Sequence, residues 1–537
     1  MARRHSSIKR SRARIVGTTA VIAVAALTWA PARAAAQLAA HHVRAETASA
    51  IAASASRGPT KARRKGVKRA APARLPAYAT PRSADALASD IAAMLNARVR
   101  GGRWGALVVS LTRGDTLFAH NADDRMQPAS TLKLFTTGLA LDRFGPDHQL
   151  TTDVLRDGTV LPDGTLGGNL YLRGGGDPSL SLRFYGDTIS PMDHLARAIA
   201  AAGIRHVRGD LVADASAFDD QAIPDGWKRR YLSAAYAAPV SALSLNENVL
   251  WIAVEPGRNG ASVALQPATT SFTVVNRVTQ RGGTGGAVTV RRRGDNELDV
   301  SGWIGTHSGP RKYSIVVNDP PRFAAGALRA SLAAAGITVD GAIREGITPA
   351  GATVVASNQS PPLARIVSDM NRESINHLAE LLFRDAARAS SPTHTGSALT
   401  GETALHQFLE QKVGVPPSAV TVSDGSGLSV RDSVTARALV DLLSYANRAP
   451  WSSAFHASLP VAGESELLRK RMKRTPAQGN LHAKTGTTNT VAALSGYVTA
   501  EDGEILAFAF IYNGADRWNA KDAMDRAGAT LASFSRN

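Results

Sequence analysis

The sequence predicts a multidomain protein of mixed α+β/α/β class with a large β-rich middle. Three observations lead there. The chain has 537 residues, enough for about three to four domains at roughly 150 residues each. Residues from about 148 to 355 read as many short strands with Gly-rich turns, with two helices among them. The C-terminal part closes with apolar strands joined through Asp502-Gly503, a hairpin signal, and a last helix from Ala515 to Phe534. Hydrophobic residues make up 44% and charged residues 20%, as in a globular chain. With no cysteine, a disulfide scaffold, a thiolate metal site and a cysteine nucleophile are excluded.

The net charge of +18 is unevenly placed. Residues 1–82 carry 17 Lys and Arg against a single acid, Glu46, which leaves only +2 on residues 83–537. The folded part is nearly neutral, so no nucleic-acid partner is expected. The N-terminus has the order of an export signal: Arg3, Arg4, Lys9, Arg10, Arg12 and Arg14, an apolar run from Ile15 to Ala30, Pro31, then Ala32-Arg33-Ala34-Ala35-Ala36. Residues 1–36 are thus expected to be a signal peptide, and the protein to work in the periplasm or cell-wall space. Residues 37–82, rich in Ala, Ser and Pro with a basic run from Lys61 to Arg69, read as a disordered tether that can lie on an anionic envelope surface.

The first folded element is a helix from Ser83 to Arg98, with Leu87, Ile91 and Leu95 at i, i+4 and i+8. A buried strand follows at Ala106–Val109, and Arg113-Gly114-Asp115 turns it into a second strand, Thr116–Ala119. Ser130 opens the next helix, which Gly145-Pro146 ends. Within the middle region, strands are expected at Val154–Asp163, Asn169–Leu172, Val249–Val254, Phe272–Val278, Ala287–Arg292, Leu298–Trp303 and Ser314–Val317. Helices are expected at Met192–Ala202 and Arg322–Ala335. Beyond it, Leu363–Asn371 and His377–Ala387 read as two helices with a break between them, and Leu481–Thr487, Val491–Thr499 and Glu504–Tyr512 as strands.

Three short patterns carry chemistry. In Ser130-Thr131-Leu132-Lys133, positions i and i+3 share a helix face, so the lysine amine can lie by the serine hydroxyl. A serine is a poor nucleophile until a neighbour takes its proton, and a lysine in a closed pocket can have its pKa lowered enough to do so. Ser374-Ile375-Asn376 lies at a helix junction, where two polar side chains two apart can both face a cleft. Lys484-Thr485-Gly486-Thr487 ends a strand; Lys484 and Thr485 can present a cation and a hydroxyl to a carboxylate, and Gly486 lets a ligand backbone approach. Each pattern alone is far more often an ordinary N-cap or strand end.

Together and in this order, the three patterns resemble the penicillin-recognising serine enzymes. The chain is most similar to the D-alanyl-D-alanine carboxypeptidase/endopeptidase family, the class C low-molecular-mass penicillin-binding proteins. Tyr171–Pro178, Gly209–Asp214, Pro239–Ser244 and Asp424–Ser429 extend the likeness. The resemblance implies a penicillin-binding-protein/serine β-lactamase-like catalytic domain, an antiparallel sheet flanked by helices, formed by residues 83–147 and 356–537. Inserted residues 148–355 form domain II with domain III nested in it. The gap of 241 residues between Lys133 and Ser374, against 110 between Ser374 and Lys484, leaves room for this insertion.

The activity implied is hydrolysis of peptidoglycan stem peptides through an acyl-enzyme, as carboxypeptidase and D,D-endopeptidase, without metal or other cofactor and with β-lactams as covalent inhibitors. Ser130 is then the nucleophile and Lys133 its base. Ser374 and Lys484 pass a proton to the leaving nitrogen, and Asn376 orients substrate and Lys133. Thr485, Gly486 and Thr487 form the carboxylate and oxyanion subsite, and Asp214 and Phe218 supply an acidic and aromatic wall for the amine of the third stem residue. Two departures stand out: Ile375 replaces a commonly polar residue, and Val430 stands where arginine often follows Gly-Leu-Ser, with Arg431 one place later. A serine β-lactamase or esterase is the alternative within the same chemistry, separated by fast penicillin turnover. A non-catalytic envelope-binding protein is the alternative outside it, separated by failure to take a penicillin label.

Overall fold

The structure is a computed structural model that describes residues 78–536 apart from 98, 186–189 and 392. The expected signal peptide and most of the expected tether lie outside the described residues. The last five tether residues do not behave as a tether. Tyr78 packs against the core, the Ala79 N–H donates to Thr530 Oγ1 at 3.0 Å, and the Pro81 carbonyl accepts from Ser535 N.

Helix α1 (Ala84–Asn96) begins where Ser83 Oγ accepts the Ala86 N–H. Leu87, Ile91 and Leu95 are buried as the periodicity requires, and each such side chain contributes about 1.5–3 kcal/mol. Strands β1 (Arg103–Ser110) and β2 (Thr116–His120) form the hairpin expected around Arg113–Asp115. They join β14 (His482–Thr487), β15 (Val491–Thr499) and β16 (Ile505–Asn513) in one antiparallel sheet of order β14-β15-β16-β1-β2. Leu107 of β1 faces Ala509 of β16 across 402 residues of sequence. One face of the sheet carries α1 and the terminal helix α9 (Arg517–Ala532) over Leu494, Phe508 and Phe510. The other carries α2 (Lys133–Phe144), α5 (Leu363–Glu373), α6 (Asn376–Arg388), α7 (Ala398–Phe408) and α8 (Ala436–Ala446) over Ala493, Ala507 and Ile511.

Between α2 and α5 the chain leaves this sheet. Strands β3 (Thr151–Arg156), β4 (Leu170–Arg173), β5 (Leu211–Asp214), β12 (Ile343–Glu345) and β13 (Thr353–Gln359) make a mixed sheet ordered β12-β5-β4-β3-β13. Helices α3 (Pro191–Ala201) and α4 (Pro320–Ala334) contribute Met192, Leu195, Phe323 and Leu328 to its core. Two three-stranded sheets follow β5 in the chain. One is ordered β8-β10-β9 (Thr273–Arg281, Glu297–Gly305 and Gly286–Arg293), the other β11-β6-β7 (Arg311–Val316, Val249–Glu255 and Ser262–Gln266). The strand expected over Val154–Asp163 is shorter than its pattern. Asp157 stops it, its carboxylate accepting from Asn169 N, Asn169 Nδ2 and Tyr171 Oη and so closing a turn. Gly174 explains the glycine run: a Cβ there would collide with the Ala242–Leu243 backbone.

Candidate active site

Ser130 does not open an α-helix. It lies on a 3-10 turn, Ala129–Leu132, with α2 starting at Lys133. Side chains at i and i+3 eclipse in a 3-10 turn, so Lys133 stands directly over Ser130, closer in angle than on an α-helix. Ala129, just before the serine, has φ 47°, an unfavourable backbone for a non-glycine residue. Two glycines hold it there. A Cβ on Gly427 would strike the Ala129 carbonyl oxygen, and one on Gly486 would lie 2.6 Å from the Pro128 oxygen. Gly486 is therefore needed for the chain's own packing. Gly427, itself at φ 79°, has no room for a methyl group. Gly427→Ala is expected to lower thermal stability by about 2–4 kcal/mol and to slow acylation by penicillin, measured by melting and by a fluorescent penicillin.

Lys133 is fully buried. Its Nζ lies 3.3 Å from Ser130 Oγ and donates to Asn376 Oδ1 and to the Ser426 carbonyl, both at 2.7 Å. Burial pulls its pKa down to about 8, against the opposing pull of Asp424, Glu380 and Asp432. A neutral amine keeps the two short bonds and turns its lone pair to the serine hydroxyl, which is the geometry of a general base. Ser374 caps α5 in the left-handed conformation, φ 61° and ψ 43°, and Asn376 opens α6. Neither side chain serves as a helix cap: Ser374 Oγ accepts from Lys484 Nζ at 2.9 Å, and Asn376 Nδ2 donates to the Tyr236 carbonyl at 2.8 Å. Ile375 packs on the apolar core. Lys484 is buried, and burial plus the charge of Lys133 holds its pKa well below the lysine range. It sits with Thr485, Gly486 and Thr487 on β14, an edge strand of the sheet. An edge strand leaves one row of backbone groups free to pair with an extended peptide.

These seven residues, from three distant stretches, thus meet around one serine. A model of the D-Ala-D-Ala carboxypeptidase 3 (S13) family matches residues 87–533. The chain belongs to that family. An S13 family member is a serine-type peptidase, a hydrolase. A D-alanyl-D-alanine carboxypeptidase of Actinomadura sp. (strain R39) is 35% identical over 462 residues, covering 81% of this chain and 84% of that protein. The D-alanyl-D-alanine carboxypeptidase DacB of Haemophilus influenzae is 26% identical over 467 residues, covering 86% and 94%. The crystal structure of penicillin binding protein 4 (dacB) from Haemophilus influenzae superposes with a TM-score of 0.67 at 23% identity, over 81% of this chain and 98% of that one. The fold is that of the penicillin-binding proteins.

Asp214 and Phe218 both have partners within the chain. Asp214 ends β5 and is 1% exposed; its carboxylate accepts from Ser216 N, Ser216 Oγ and Thr348 N. Phe218 is core, packed with Trp227, Val240 and Leu381. The carboxylate closes a turn and the ring is covered by the surrounding core. Arg431 likewise pairs with Asp225, while Val430 is partly exposed.

The structure adds a buried acidic group beneath Lys133. Asp424 accepts the N–H groups of Ser426, Gly427 and Ser429, and Glu380 and Asp432 lie close enough to feel its charge. Burial, then Asp424, raise Glu380 to about 8; burial and Asp424 raise Asp432 well above the carboxylate range. A carboxyl whose folded pKa exceeds its unfolded one stabilises fully below the unfolded value of 4.5, and this is lost as pH rises through about 8. Glu380→Gln is therefore expected to retain roughly 2–5 kcal/mol more of its low-pH stability than the parent between about pH 5 and pH 9. Melting curves of the two proteins across that range check it.

Proposed function

We propose that the chain is an exported serine D-Ala-D-Ala carboxypeptidase and D,D-endopeptidase of peptidoglycan stem peptides, acylated by β-lactams. The observation that carries this is Lys133 Nζ set between Ser130 Oγ and Asn376 Oδ1, with Lys484 bonded to Ser374 beside it. Ser130 Oγ attacks the carbonyl carbon of the penultimate D-alanine as Lys133 takes its proton. The N–H groups of Ser130 and Thr487 hold the oxyanion. Ser374, its oxygen held by Lys484, relays a proton to the leaving nitrogen, and Asn376 orients the substrate amide. Lys484, Thr485 and Thr487 receive the terminal carboxylate. Water then attacks the ester and frees the shortened stem. With a crosslinked stem the same steps release a larger amine.

In this reading residues 83–147 and 356–537 form the catalytic domain and 148–355 the inserted domains II and III. Export rests on the order of residues 1–36, and contact with an anionic surface on the basic stretch that follows. Among the described residues no helix is long and apolar enough to cross a membrane. Mass spectrometry of purified muropeptides after incubation tests the function. Loss of one D-alanine from pentapeptide monomers and conversion of crosslinked dimers to monomers are expected. Unchanged monomers and dimers would overturn it, and dimers alone unchanged would remove the endopeptidase half.

A further inference from the structure

The inserted region meets the catalytic cluster at the Tyr236 carbonyl, which accepts from Asn376, and, beneath Lys133, at a buried indole. Trp227 lies in the core with Phe218, Val240, Ala242 and Leu381. Its Nε1–H donates to Asp424 Oδ2 at 2.7 Å, across 197 residues of sequence. Backbone N–H groups of its own loop also donate to Asp424, and the buried Asp432 carboxyl hydrogen-bonds it. The loop's Ser426 carbonyl, two residues on, takes the 2.7 Å bond from Lys133. The two segments are pressed together around this bond. Gly226 has φ 80°, and a Cβ there would strike Ser429 Oγ. Ser429 Oγ donates to the Asp225 carbonyl at 2.7 Å, and Val430 N donates to the Gly226 carbonyl.

We propose that Trp227 is a positioning residue for acylation: its indole N–H anchors Asp424, and through the Asp424–Ser426 loop it fixes the seat of the Lys133 amine. The inference rests on Ser130 and Lys133 acting as nucleophile and base. Its physical content is twofold. Without the N–H, Asp424 loses its side-chain tie to the insertion, leaving only the ties at Ser429 and Val430, and the Ser426 carbonyl is less firmly held against Lys133. The N–H also draws on the Asp424 charge, so without it more of that charge acts on the Lys133 ammonium. Titratable groups facing Lys133 are Lys484 from β14, Glu380 from α6, and Asp424 and Asp432 from the loop. Arg384 of α6 faces Glu380 and Asp424. Removing the N–H leaves all of these in place and strengthens one anion, so Lys133 should keep its proton to higher pH.

The test uses the full chain and its acylation by a fluorescent penicillin, followed against pH. Trp227→Phe keeps a buried ring and removes only the donor. Acylation at neutral pH is expected to fall about five- to twentyfold, with the acid limb moved to higher pH. Asp424→Asn keeps the shape and removes the charge, so its limb should move to lower pH. A loss of packing would not shift the two limbs in opposite directions. A folded Trp227→Phe with the parent's rate and limb overturns the proposal. Should that variant not fold, an unmoved limb in Asp424→Asn overturns it instead. If Ser130→Ala still forms the adduct, the nucleophile assignment fails; if that variant is dead while Trp227→Phe behaves as the parent, only the role of Trp227 fails.

Discussion

Replacing Ser130 by alanine is expected to abolish the covalent penicillin adduct and to lower D-alanine release by roughly four orders of magnitude or more. The hydroxyl is the one nucleophile within reach of the Lys133 amine on this turn, and no neighbouring side chain can replace a lost acyl acceptor. Stability should barely respond. The variant loses a single 3.3 Å contact, about 0.5–1.5 kcal/mol at most, and the turn is held by Gly427 and Gly486 rather than by the hydroxyl. Intact-mass measurement after incubation with penicillin decides it: an undiminished adduct would remove Ser130 from the reaction.

Removal of the Lys133 amine should come next in size. Lys133→Met fills the same space and leaves Ser130 with no base, so acylation is expected to fall by roughly 10²- to 10⁴-fold. In the parent protein the acylation rate should climb with pH up to about 8, where burial has brought the amine. Below that the amine is protonated and its lone pair is unavailable. The variant should lose the pH dependence along with the rate. Stopped-flow acylation across the pH range reads both, and a variant that keeps the parent's rate would show that another group takes the proton.

Local pattern carried much of this architecture. The i, i+4, i+8 spacing of Leu87, Ile91 and Leu95 located α1, and the hairpin at Asp502-Gly503 located β15 and β16, because each signal lies within one element. Helices α7 and α8 are elements the structure adds to the sequence reading. The spacing of Ser130 to Lys133 suits an α-helix and a 3-10 turn alike; what selects the 3-10 turn is the left-handed Ala129, held by glycines about 300 and 360 residues away. Long range also hid Trp227, Asp424 and Glu380, whose meaning lies in partners from other parts of the chain. Asp214 and Phe218 show the converse. Their residue types suit an ammonium site, but only the folded chain reveals the donors from Ser216 and Thr348 at Asp214 and the core around Phe218.

The pairing of β1 with β16 has a consequence in time. Ser130 leaves the ribosome early, whereas Ser374, Gly427, Lys484 and the strand that completes the sheet are made 240 or more residues later. Contacts so distant in sequence form slowly and last. Until β14 to β16 dock, Ser130 has neither its full cradle nor the second lysine, and the serine stays an ordinary alcohol. The mixed sheet of the middle region has no such wait, since all its strands lie between residues 151 and 359. The catalytic serine thus depends on the last-made part of the sheet, and a chain cut short before His482 is expected to lack reactivity.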